Sequence, residues 1–206
     1  MEILSENIKK YLINNLHISD ENDIELDDIY KVGKINLNRQ NYSLKEAKFV
    51  PSELALFKNL KECAFSQFLI NDEIKENLSK LENLEVLDLD HCIIAGCKTI
   101  SNKIKVIIMN YSNFNFMNIF ENKSSMKKIL LKDIINVDIK KITEFENIEE
   151  LILLNCEIKN SIFIKELKNL KKVRIIGCKL DNDDAVNMLD KNIEKVFSKD
   201  EFFYVE

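Results

Sequence analysis

The sequence predicts an α/β fold: a repeat solenoid with a curved parallel sheet on its concave face and helical caps at its two ends. Three observations predict it. One pattern of apolar positions recurs about every 22 residues. A single copy cannot bury its own apolar face, so neighbouring copies must stack. With three glycines and one proline in 206 residues, nothing between copies reads as a linker, and the whole chain is expected to form a single domain, 1–206.

The pattern is apolar-x-x-apolar-x-apolar-x-x-small-x-apolar. Leu170, Val173, Ile175, Cys178 and Leu180 fill it, and so do Ile148, Leu151, Leu153, Cys156 and Ile158. Leu84, Leu87, Leu89, Cys92 and Ile94 make another copy; Ile104, Ile107, Met109, Ser112 and Phe114 follow the same spacing. Met126, Ile129, Leu131 and Ile134 match up to the last position, which is Asn136. Leu60, Cys63, Phe65, Phe68 and Ile70 form a further unit, and Val32, Ile35, Leu37, Gln40 and Tyr42 a weaker first one. The clear units start at 60, 84, 104, 126, 148 and 170, so the steps are 24, 20, 22, 22 and 22. A frayed last unit is expected at Ile193 and Val196.

Each element follows from local pattern. Residues 1–31 predict a helical N-cap. Ile3, Leu4, Ile8, Tyr11, Leu12 and Leu16 have helical spacing over 3–16. Ser19 or Asp20 is placed to cap a short second helix from Ile24 to Ile29. Residues 32–180 hold the repeats. In each strand the residues alternate between the two faces, so Leu151 and Leu153 point into the core. The second half of each unit is apolar at wider spacing, as at Ile139, Ile142 and Phe145. Residues 181–206 predict a C-terminal cap, with DNDDAVNMLDKN as a helix and FFYVE as a last strand or flap.

These units resemble leucine-rich repeats, L-x-x-L-x-L-x-x-(N/C)-x-L. The step near 22 is similar to the short-repeat, bacterial internalin-like class. The resemblance covers roughly residues 32–198. It implies one short strand per unit, turns or short helices on the convex side, and a protein-binding scaffold. The family's turn residue is usually Asn. Here that position holds Gln40, Phe68, Cys92, Ser112, Ile134, Cys156 and Cys178, so the usual hydrogen-bonded ladder is expected to be weak or absent.

Composition narrows the chemistry. The 30 Lys and Arg against 35 Asp and Glu leave a charge of −5, which argues against nucleic acid as a partner. No stretch approaches the roughly 18 apolar residues of a membrane span. The N-terminus lacks the basic start and unbroken apolar run of a signal peptide, so the expected location is cytoplasmic. Five widely spaced cysteines fit a reducing compartment. Cys63, Cys92, Cys97, Cys156 and Cys178 all fall where the repeat wants a small apolar side chain, so they are expected to be inward-facing core. His91 with Cys92 and Cys97 comes nearest to a metal cluster but lacks zinc-type spacing. No phosphate loop or catalytic motif is present. No cofactor, metal site or catalytic residue is expected, and the chain does not read as an enzyme.

The outward strand positions carry the functional signal. The residue between the two inward ones is, unit by unit, Asn36, Ala64, Asp88, Ile108, Leu130, Ile152, Arg174 and Phe197. One flanking row runs Glu62, Val86, Val106, Lys128, Glu150, Lys172 and Lys195. The other runs Ser66, Asp90, Asn110, Lys132, Leu154, Ile176 and Lys199. Val106, Ile108, Leu130, Ile152, Leu154 and Ile176 should then form one apolar concave patch. Asp88 and Asp90 flank it on the N-terminal side, Lys172, Arg174, Lys195 and Lys199 on the C-terminal side. An apolar centre rimmed by charge is interface anatomy. The expected function is non-catalytic protein binding through this face, the partner's identity being unknown. Two alternatives stand beside it: a cytoplasmic immunity or inhibitor protein that blocks a toxin or enzyme, and a self-associating structural protein whose patch forms a homodimer.

Overall fold

A computed structural model of the chain describes residues 6–16, 20, 23–38, 50–113 and 118–199. Chain order begins with α1 (Glu6–Leu16), α2 (Leu26–Lys31), β1 (Lys34–Asn38), β2 (Glu62–Ser66), β3 (Leu69–Ile70) and α3 (Asp72–Ser79). It continues with β4 (Val86–Asp90), β5 (Ile93–Ile94), β6 (Val106–Asn110), β7 (Lys128–Lys132), β8 (Val137–Asp138) and α4 (Ile139–Ile142). It closes with β9 (Glu150–Leu154), β10 (Glu157–Lys159), β11 (Lys172–Ile176), β12 (Lys179–Leu180) and β13 (Glu194–Ser198).

One eight-stranded sheet takes the order β1-β2-β4-β6-β7-β9-β11-β13, every pair parallel. Its inward residues form two apolar columns. Ile35, Cys63, Leu87, Ile107, Ile129, Leu151 and Val173 make one; Leu37, Phe65, Leu89, Met109, Leu131, Leu153 and Ile175 make the other. All are at most 1% exposed. The alternation predicted from sequence therefore places the core correctly from β1 to β11. Past the strand-end turns, β3 pairs β5 and β10 pairs β8 and β12, again in parallel.

Unit length tracks what the return path contains. The 24-residue unit from Leu60 holds the eight-residue α3. The 20-residue unit from Leu84 has no helix on its return. A helix advances only about 1.5 Å per residue against about 3.3 Å for extended chain, so covering the same height with a helix takes more residues. Asp72 joins these unequal units. It accepts from the backbone N–H of Cys97 at 3.2 Å and of Lys98 at 2.8 Å. It also pairs at 2.9 Å with Lys75, which is completely buried. Lys75 first, and then the two N–H groups, hold the Asp72 carboxyl well below the usual range.

The expectation of a weak ladder is corrected in two places. At the turn position, thiols and a hydroxyl take the part of asparagine. Ser112 Oγ accepts from Cys92 N–H at 2.9 Å and donates to Leu89 O at 3.0 Å. Cys178 Sγ accepts from Cys156 N–H at 3.3 Å, and Cys156 Sγ donates to Leu131 O at 3.5 Å. A second ladder, of real asparagines, stands just before the leading apolar residue. Asn59, Asn83, Asn147 and Asn169 each donate to a backbone carbonyl of the preceding unit, at 2.8–2.9 Å. Both ladders satisfy backbone groups where the chain turns, the thiol and hydroxyl ladder at buried positions and the asparagine ladder at exposed ones.

Cys63, Cys92, Cys156 and Cys178 are buried, but Cys97 is exposed. Cys97 sits on the non-helical return of the short unit, beside Asp72, where the repeat alignment no longer fixes direction. Burial pushes the Cys92 thiol up to about 11.

The last strand also departs from expectation. β13 pairs β11 with Lys195 opposite Val173, Val196 opposite Arg174 and Phe197 opposite Ile175. The backbone keeps a 22-residue step, so Val196 rather than Phe197 continues the middle concave row. Lys195 and Phe197 occupy inward positions, and Lys199 lies beyond the strand. The predicted C-terminal helix is a 3₁₀ turn, Asp183–Val186, whose N-cap Asn182 accepts from Asp184 N–H at 3.0 Å. At the N-terminus, α1 brings Ile8 and Leu12 into the core and Tyr11 Oη donates to Lys34 O at 2.7 Å. Helix α2 is capped by Glu25, whose N–H bonds the Asp28 carboxylate at 3.0 Å, and not by Asp20. Ile3, Leu4, His17, Ser19, Gln40, Tyr42, Phe114 and the FFYVE segment lie outside the described residues.

Candidate protein-binding face

The predicted middle row is present in register: Ala64, Asp88, Ile108, Leu130, Ile152 and Arg174 stand side by side on adjacent strands. Val106, Leu154 and Ile176 flank it as expected. Exposure is another matter. Most of these side chains are half-buried, and Ile152 is only 7% exposed. The expected open position of Ile152 is therefore corrected: it lies on the concave face but is largely covered. Its register neighbours are Leu130 and Arg174, both large, and inward curvature crowds side chains that a flat sheet would leave apart.

Charge on this face is mostly neutralised across strands. Lys34 pairs Glu62, Lys128 pairs Glu150, and Lys172 pairs Glu194, each at 2.8 Å. Asp90 is held by Ser66 Oγ at 2.9 Å, Asn110 Nδ2 at 2.8 Å and His91 Nδ1 at 2.9 Å. Lys199 pairs Asp183 away from the strands. Two charges stay outside these arrangements. Asp88 makes no ion pair or hydrogen bond among the described residues, and burial, then the neighbouring Asp90, raises its carboxyl. Arg174 also has no such partner, and its Nε is buried without a hydrogen bond. The nearby Glu194 carboxylate is already taken by Lys172.

Sequence reasoning missed the rim above the strands. Directly after β2, β4, β6, β7, β9 and β11 one residue adopts a left-handed conformation: Gln67, His91, Tyr111, Asp133, Asn155 and Gly177, with φ from 46° to 64°. Each donates its N–H to the strand-end carbonyl of the next unit, at 2.8–3.2 Å. This conformation is costly for residues other than glycine, least so for Asn, Asp and His. The His91 and Tyr111 rings lie 4.7 Å apart along this row. Beside them Leu69 is 50%, Ile93 61%, Tyr111 55% and Ile135 71% exposed. Leu69 and Ile93 are direct register partners in β3 and β5. The signal was available: Leu69, Ile93 and Ile135 each follow the turn position by one, where the repeat asks for nothing apolar.

Elsewhere, a cleft of ≈ 540 Å³ is lined by Ser101, Glu121, Asn122, Lys123, Ser124, Glu144 and Glu146, none of them on the concave strands. Among the described residues no three His, Cys, Asp or Glu side chains are grouped so as to hold a metal ion. No described helix is long and apolar enough to cross a membrane.

The architecture is that of a leucine-rich-repeat solenoid. It is similar to an internalin (inlF) of Listeria monocytogenes, with TM-score 0.63 and 13% identity, over 93% of this chain and 55% of that one. The chain thus spans about half the length of that internalin. It is also similar to the internalin C2 (inlC2) of the same species, with TM-score 0.57 and 13% identity, over 94% of this chain and 92% of that one. At this identity the likeness concerns the fold. No protein-family model matches the sequence, and no curated protein matches it.

Proposed function

We propose that this protein is a non-catalytic binding scaffold that holds a partner protein against its concave face and the adjoining rim. The observation that carries the reading is the apolar floor of the middle units, joined just past the strand ends by the exposed Leu69 and Ile93, which pair in register, and by Tyr111, whose ring lies against His91. Isolated apolar residues on a surface are ordinary, but an aligned set beside a half-buried apolar floor forms a patch whose hydration is relieved when a partner covers it. The uncommitted Asp88 and Arg174 on the floor add polar groups that a partner can satisfy.

The test is selection of a displayed random-peptide library on the immobilised full chain, followed by binding measurements on variants. Selected peptides should lose most of their affinity for the Leu130→Glu and Ile93→Glu variants, whose circular dichroism should match the parent. Peptides that bind these variants as well as the parent would show that the face is not the binding surface.

A further inference from the structure

Resting on that reading, we infer that the floor recognises an amphipathic helix lying across the strands, with a cation over Asp88 and a carboxylate at Arg174. The middle row places these two residues at either end of Ile108, Leu130 and Ile152. Four strand-to-strand steps of about 4.8 Å separate them, so they stand about 19 Å apart.

That row suits a helix better than an extended strand. Side chains on one face of a helix recur each turn, about every 5.4 Å, close to the spacing of the row. Same-face residues of an extended strand recur about every 6.6 Å and drift out of step within three positions. A helix covers about 19 Å in roughly 13 residues. The element recognised therefore carries a Lys or Arg and an Asp or Glu about 11 or 14 positions apart, the whole-turn separations nearest that span, with apolar residues between them on the same face.

The charges at the two ends are set apart from all others on the floor. Lys34, Glu62, Lys128, Glu150, Lys172 and Glu194 satisfy one another across strands. Asp90 is saturated by Ser66, Asn110 and His91. Asp88 and Arg174 are left with unmet capacity at opposite ends of one apolar row, and Arg174 Nε is buried without an acceptor. Complementary charges at both ends fix the register of a docked helix and reject helices with like charges there.

A displayed library of helical peptides, apolar on one face and randomised in charge, tests this against the full chain. The enriched peptides should carry opposite charges about 11 or 14 positions apart, on the apolar face. The Asp88→Lys and Arg174→Glu variants should each raise their Kd by about tenfold or more. Peptides lost on Leu130→Glu but lacking the charge pair, and indifferent to both reversals, would overturn the inference while leaving the binding face intact. Peptides that persist on Leu130→Glu, or no enrichment at all, would overturn the face and the inference together.

Discussion

The concave floor and the rim above it differ more than their sequences suggest. Both are apolar in the middle units. On the floor, Ile152 is 7% exposed; on the rim, Ile93 and Ile135 are 61% and 71% exposed. Floor residues project from adjacent strands into the hollow of a curved sheet, where neighbours at ordinary strand spacing close over one another. Rim residues follow left-handed turns that carry the chain out of the sheet, and curvature does not crowd them. Pointing outward is thus not equivalent to meeting water.

Four expected outcomes sharpen that contrast, and the largest lies beneath the floor. Leu153→Ala should cost about 2–5 kcal/mol, the usual range for a packed core leucine, and Leu153→Glu should leave the chain unfolded. Chemical denaturation measures the first and circular dichroism the second. A Leu153→Ala cost below about 0.5 kcal/mol would break the inward column.

Next come two neighbours on the floor. Ile152→Glu buries a carboxylate that its neighbour Arg174 offsets only in part, and should cost about 1–3 kcal/mol. Leu130→Glu, one strand away and more open, should cost about 1 kcal/mol or less. Equal melting temperatures for the two would show that curvature does not set exposure here.

On the rim, Gln67 holds a left-handed conformation with φ 64°. Gln67→Gly should stabilise the fold by about 1 kcal/mol, the left-handed penalty less the entropy that glycine loses. A loss of stability in urea would mean that the Gln67 side chain contributes more than its backbone costs.

The smallest effect is electrostatic, at the base of the strands. Glu149 pairs Lys171 at 2.5 Å and Lys127 at 2.9 Å, and these lysines lower its carboxyl from the usual 4.5 to about 2. A lowered folded value means that the stabilisation is present above the unfolded value and is lost as pH falls from about 4.5 toward 2. The Glu149→Gln variant should lose less stability than the parent across that window, by an amount that shrinks in high salt. A salt-independent difference would point to packing instead.

The sequence by itself determined the repeat and its inward columns. An apolar residue at every second strand position can be buried only one way once units stack, so Leu151 and Leu153 were assignable without coordinates. It marked all five cysteines as core, which holds for four and fails for the exposed Cys97. It misjudged β13 because the apolar Val196 looked like a repeat position, whereas parallel pairing with β11 held the step at 22 and turned Lys195 inward. It missed the thiol ladder because those hydrogen bonds join residues about one repeat apart. Only the tertiary structure decided which outward residues meet water, which charges are already paired and which are not. Cross-strand neighbours such as Lys128 and Glu150, or Leu130 and Ile152, are 22 residues apart in the chain and come together only when the sheet forms. Curvature then fixes how closely their side chains crowd, and that is a property of the stacked units that no single unit carries.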